Sequence, residues 1–113
     1  MLRSSSVRIL AVLALVFIET LSVGSAAAWD RRVKRGELIA LANCARCHAV
    51  ARFGSSPLRE APPFRALHER YPVGDLAEAL VEGITTGHPT MPEFRLEPDE
   101  ADALIAYMKS LAN

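Results

Sequence analysis

The chain has 113 residues, half of them apolar, which is enough for one small domain and too little for two. Thirteen Lys and Arg stand against thirteen Asp and Glu. That balance argues against nucleic acid as the main partner.

The first segment reads as a leader. Met1 to Arg8 carries two arginines and no acid, Ile9 to Ile18 is an unbroken apolar run, and Ser25-Ala26-Ala27-Ala28 offers small residues to a signal peptidase. The pattern predicts a secretory signal peptide over residues 1–28 and an exported domain over residues 29–113, placed in the periplasm. Ten apolar residues fall short of the ~20 needed to cross a bilayer, so no stable membrane insertion is expected once the leader is cut. An uncleaved leader would instead anchor the domain. Glu19, just past the apolar run, is unusual on either reading, and no cysteine near the cut supports a lipid anchor. The 85 residues from Trp29 to Asn113 make a marginal core unless a disulfide, metal or cofactor completes it. Their charge is uneven: residues 29–59 hold seven bases and two acids, residues 60–113 four bases and ten acids. Such a dipole can steer a charged partner, although ordinary solvated faces explain it equally well.

From Trp29 the chain is polar and basic until Gly36, then Leu38, Leu41, Ala42 and Ala45 keep helical spacing while Val33, Gly36 and Ala40 line an adjacent stripe. This predicts a helix of about three turns running into Cys44. Gly36 costs such a helix about 1 kcal/mol relative to Ala, so it marks either close helix contact or a frayed first turn. Ala49 to Pro63, with the run Gly54-Ser55-Ser56 and three prolines, is a loop long enough to cover or bind something. Phe64 to Arg70 predicts a short helix with Phe64, Leu67 and His68 on one side, ending before Pro72. A second follows Asp75 as cap, with Leu76, Ala77, Leu80, Val81 and Ile84 on the helical period and Gly83 near its stop. Thr85 to Leu96 is a loop punctuated by Gly87, Pro89 and Pro92. In the last helix Pro98 suits the first turn, Asp99, Glu100 and Asp102 its positive end, and Lys109 its negative end. Ala101, Leu104, Ile105, Met108 and Ala112 form its apolar face. No strand alternation and no internal repeat is found, so the fold class is all-α with long loops.

The chemistry concentrates in Cys44-Ala45-Arg46-Cys47-His48. Two thiols three positions apart lie on one helical turn and can reach one edge of a flat ligand, while the adjacent imidazole points at its centre. The spacing also suits a redox disulfide, but that motif opens a helix after a strand, and here it closes a helix in a chain without strands. A zinc site drawing on Cys44, Cys47, His68 and His88 lacks the second knuckle of common zinc spacings. A structural disulfide between Cys44 and Cys47 would close too short a loop to stabilise much. Covalent haem attachment uses all three residues and accounts for export, a small core and wrapping loops together.

On these residues, on Met91 before Pro92, and on Ala106-Tyr107-Met108-Lys109-Ser110-Leu111, the chain from Gly36 to Leu111 resembles a small class I cytochrome c with one haem. The resemblance implies three to five helices wrapped around one haem c, with Cys44 and Cys47 as thioethers and His48 as the proximal ligand of the iron. It implies that a carbonyl of Pro62-Pro63, taken here as Pro62, accepts the Nδ1 proton of His48, and that Gly36 faces Tyr107, with Leu104 nearby. Met91, 43 residues after His48 and set between Pro89 and Pro92, is the expected distal ligand, with His88 as competitor. His68 suits a partly exposed or hydrogen-bonding role instead. The family often bonds a haem propionate through a mid-chain tryptophan, and this chain has only Trp29. Arg65, Tyr71 or Arg95 would have to serve. The function implied is one-electron transfer with redox protein partners, by a monomer that is not an enzyme. The competing reading is a haem enzyme or gas sensor in which Met91 dissociates. A haem-free thiol or zinc protein is the third.

Overall fold

The computed structural model describes residues 24–83 and 90–112 of the chain. Two compact units divide it, residues 1–30 and residues 31–113. Of the first unit the described residues 24–30 are helical and exposed, and no helix among the described residues is long and apolar enough to cross a membrane.

The second unit is all-α, with no strand among its described residues. Helix α1 covers 31–43, so Gly36 sits well inside the helix and the frayed-turn explanation fails. Gly36 is there for contact. A Cβ at that position would stand 2.7 Å from Tyr107 Cβ, and it would clash with the Ala103 carbonyl as well. Gly36, Ala40 and Cys44 are buried, with Val33 and Ile39 half-buried beside them. The expected Leu38, Leu41 and Ala42 stripe is not the buried one: Leu38 is 56% and Leu41 52% exposed, and Ala42 is exposed too. Two stripes of similar hydropathy lie on this helix, and the one with the smaller side chains admits the closer approach.

A 3-10 helix follows at Phe64–Glu69, where the sequence suggested a short helix to Arg70; Phe64 and Leu67 are buried and His68 is exposed. A second 3-10 turn, Val73–Asp75, leads into α2, Leu76–Glu82. Asp75 makes no side-chain cap bond, because it belongs to the preceding turn and has helical backbone angles rather than the extended ones of a cap. Gly83 ends α2 at φ +110°. Ile84 and His88 lie outside the described residues.

Helix α3, Pro98–Leu111, has Pro98 in its first turn and a reciprocal capping box between Glu97 and Glu100, whose carboxylate accepts the Glu97 N–H at 3.1 Å. Its buried set includes Ala101, Ala103, Leu104, Ile105, Ala106, Tyr107, Met108 and Leu111, wider than the expected face; Ala112 is exposed at the cap. The reason is position: α3 packs against α2 and both 3-10 turns on one side and against α1 on another. Arg35 and Asp99 join the exposed edge of α1 and α3 at 2.7 Å, and that hydrogen bond holds the Asp99 carboxyl below the usual carboxylate range.

Candidate haem site

The motif is shaped by the end of α1. Cys44 N–H donates to the Ala40 carbonyl (2.9 Å), and His48 N–H donates to the Cys44 carbonyl (2.9 Å), so the helical turn carries on through a segment that is no longer regular helix. Cys44, Cys47 and His48 are thereby kept on successive positions of one turn. Both cysteines are free thiols, Cys44 buried and Cys47 half-buried. Burial pushes the Cys44 thiol up to about 11, with the neighbouring Cys47 a smaller cause. It therefore keeps its proton at neutral pH, and an S–H group is what adds across a vinyl double bond to form a thioether.

His48 is oriented from the other side of the loop. Its Nδ1 lies 2.7 Å from the Pro62 carbonyl. A carbonyl can only accept, so Nδ1 carries the proton and Nε2 is the nitrogen left with a lone pair for a metal. The Phe64 ring, two residues on, stands 5.4 Å from the imidazole at 53° and limits its rotation. The resemblance implied the Pro62 contact, while the packing of Phe64 on the imidazole carries no mark in the sequence.

The segment between them is long but not loose. Leu58 N–H donates to the Cys47 carbonyl, Ala49 N–H to Ser56 Oγ, and Phe64 N–H to the Ala49 carbonyl, at 3.1, 3.0 and 2.9 Å. The last of these closes residues 49–64 into a compact loop of the Ω kind, whose tip at Gly54 has φ +95°. Helix α3 grips the same loop. Tyr107 OH donates to the Val50 carbonyl (2.8 Å), and Arg52 donates to the Ser110 carbonyl (2.8 Å), at the negative end of the helix. Neither role is marked by local pattern, since each partner is more than fifty residues away.

The other expected residues are placed as follows. Met91 is half-buried in the irregular segment before α3, and Met108 is in the core. Arg65 donates from Nη2 to the Gly54 carbonyl (2.8 Å), while Nη1 is sealed from solvent without a partner among the described residues. Tyr71 is 41% exposed, and Arg95 is exposed beside Gly83. No contact singles out one of these three for a propionate. Nor do three His, Cys, Asp or Glu side chains gather as a metal cluster among the described residues, as the zinc reading would need.

The donor set fits haem. Two thiols, one imidazole with its second nitrogen already committed, and apolar Val50, Phe64 and Leu67 nearby are what a flat, apolar, iron-bearing ring requires. Residues 31–108 match the family model described as cytochrome c oxidase, cbb3-type, subunit III. The chain belongs to this family of c-type cytochrome domains. Comparison with curated proteins and with solved structures returns no match. The cofactor is therefore covalent haem c with its iron, attached at Cys44 and Cys47, and the role is haem-based electron transfer with redox protein partners, that of a carrier rather than an enzyme.

Proposed function

We propose that the chain is an exported periplasmic carrier of one electron, working as a monomer after loss of residues 1–28, with its haem iron bound by His48 Nε2 and Met91 sulfur. The observation that carries the ligand assignment is the 2.7 Å approach of His48 Nδ1 to the Pro62 carbonyl. It fixes the tautomer in which Nε2 binds metal, and a hydrogen-bonded imidazole is a more basic ligand. Bound haem supplies the ferric and ferrous states between which the electron is held. The chain's own residues hold the imidazole proton on Nδ1 and line the site with apolar Val50, Phe64 and Leu67, and His48 Nε2 and Met91 sulfur would hold the iron. With both ligands in place, no position would be left on the iron for a substrate.

Partners dock where the haem edge meets the thioether positions. Leu38 and Leu41, each more than half exposed, stand within two turns of Cys44 and give that face apolar contact area. The two bases of α1 nearest to Cys44 are already paired, Arg35 with Asp99 at 2.7 Å and Lys34 with Glu37 at 2.6 Å. Brief, small interfaces of this kind suit electron exchange.

The test is an absorption spectrum of the purified protein in both redox states, with imidazole added to the ferric form. A low-spin spectrum that resists low concentrations of imidazole is expected. A high-spin ferric spectrum, or ready binding of added ligand, would support the enzyme or sensor reading instead.

A further inference from the structure

We propose that Arg65 binds a haem propionate through Nη1, and that its other terminal nitrogen, Nη2, thereby pins the tip of the loop over residues 49–64 to the cofactor. The inference rests on the covalent haem established above and is independent of which residue holds the distal side of the iron.

What separates Arg65 from Tyr71 and Arg95 is a contact it lacks. Its guanidinium is a planar fork whose nitrogens are all donors, and it keeps its charge at any pH the folded protein meets. One prong is used: Nη2 donates to the Gly54 carbonyl at 2.8 Å. The other, Nη1, is sealed from solvent and has no acceptor among the described residues. A buried cationic donor left unpaired costs far more than an exposed one, because it gives up water and receives nothing in return. Tyr71 is 41% exposed and Arg95 is exposed, so water satisfies both. Residues 44–59 contain no Asp or Glu, and neither ion pair among the described residues includes Arg65. Among those residues the polypeptide thus offers Nη1 no carboxylate.

The place of Arg65 in the fold points to the cofactor as the source of that charge. Arg65 is the second residue of the 3-10 helix Phe64–Glu69, and its neighbours are the ones that hold the proximal ligand. The Pro62 carbonyl accepts from His48 Nδ1 at 2.7 Å, and the Phe64 ring stands 5.4 Å from the imidazole. A side chain rooted one residue beyond Phe64 and reaching back to Gly54 spans the loop that carries Val50 into the site. Apart from its iron, the haem attached there is apolar except at its propionates, since Cys44 and Cys47 consume the vinyl groups. A carboxylate suits a guanidinium nitrogen better than any neutral acceptor does. Arg65 then joins the haem to both ends of one loop. Its Nη2 holds the tip at Gly54, and the base is closed beside it by the Phe64 N–H donating to the Ala49 carbonyl at 2.9 Å.

The experiment uses the haem-loaded protein and reads the propionate bending band of its resonance Raman spectrum, which moves to lower frequency when a propionate loses a hydrogen bond. An alkaline pyridine spectrum is taken first for each variant, so that failed haem attachment is seen as such and kept apart from a change at the propionate. Arg65→Gln is expected to lower the band, and Arg65→Lys, which keeps the charge but not the fork, to restore part of the loss. Tyr71→Phe and Arg95→Gln should leave the band in place. Ser56→Ala removes the hydroxyl that accepts the Ala49 N–H at 3.0 Å and so loosens the loop without touching Arg65; its band should match the wild type. A band unmoved in both Arg65 variants, or in Arg65→Lys alone should Arg65→Gln fail to retain haem, overturns the proposal and leaves Nη1 to a buried water. Equal lowering by Ser56→Ala also overturns it, since Arg65 would then act only by holding the loop. Lowering by Tyr71→Phe or Arg95→Gln, with Arg65→Gln silent, transfers the propionate to that residue and overturns it as well.

Discussion

Gly36 lies so close to Tyr107 that a Cβ on the glycine would stand 2.7 Å from that of the tyrosine, and the Ala103 carbonyl would be nearer still. Helices α1 and α3 therefore cross with backbone against backbone, and the crossing positions the end of α1 from which the haem attachment turn departs. Gly36→Ala would gain about 1 kcal/mol in helix propensity and meet about 1–3 kcal/mol or more of overpacking against a carbonyl that cannot rotate away. A net loss of about 1–2 kcal/mol is expected, read as a lower urea midpoint at unchanged slope. Gly36→Val should lose more. A midpoint at or above that of the wild type for Gly36→Ala would mean that the helices separate at little cost.

Tyr107→Phe tests the second tie from α3. The Val50 carbonyl, in a buried residue, loses the Tyr107 donor, and leaving such a group unpaired costs about 1–3 kcal/mol. There is a pH signature as well. Burial pushes the Tyr107 phenol above its ordinary value of 10.0, with the nearby Glu37 carboxylate adding to the shift. In the unfolded chain the phenol ionises first, so the folded state holds more protons above pH about 10 and stability falls as pH rises toward the folded value. The contribution is complete below that window. Urea midpoints measured from neutral pH to about pH 11 should fall less steeply for Tyr107→Phe than for the wild type. Parallel curves would assign the alkaline loss to other groups.

The elements that could be read from sequence are those fixed by neighbours in the chain. Cys44, Cys47 and His48 announce their chemistry by spacing, and α3 announces its ends through Pro98, the acids after it and Lys109. What could not be read depends on distant partners. Leu38 and Leu41 have the periodicity of a buried face, yet the helix turns its small residues inward because α3 demands close approach. Asp75 looks like a cap but is absorbed by the 3-10 turn before it. The segment from Ala49 to Pro63 has every local mark of an open loop, and the bonds that close it run to Cys47, Phe64, Tyr107 and Ser110. Met91 was marked by its flanking prolines.

Covalent attachment is tested one sulfur at a time. Cys44→Ala and Cys47→Ala should each leave haem bound through one thioether, with the alkaline pyridine spectrum of the ferrous haem shifted from the position given by two. The variants should differ in stability. Cys44 is 9% exposed and packs in the core, so removing its sulfur leaves a small cavity as well as a missing link, whereas Cys47 is half-buried. Cys44→Ala is therefore expected to denature at the lower urea concentration. An unshifted pyridine spectrum in either variant would contradict attachment at that residue.

Met91→Ala decides what the iron is used for. On the proposed ligation, removing the Met91 thioether takes away the group that would favour ferrous iron, so the reduction potential should fall. Imidazole should then bind without first displacing a protein ligand. If the methionine is bound about 99% of the time in the wild type, the apparent imidazole affinity should rise about a hundredfold, since the competent open form is no longer a minor population. Fold and covalent attachment should be unaffected, because Met91 is only half-buried and the core of Leu80, Leu96 and Leu104 does not depend on it. An unchanged potential with imidazole still excluded would transfer the assignment to His88, three residues earlier, and His88→Ala in the same measurements should then produce both changes.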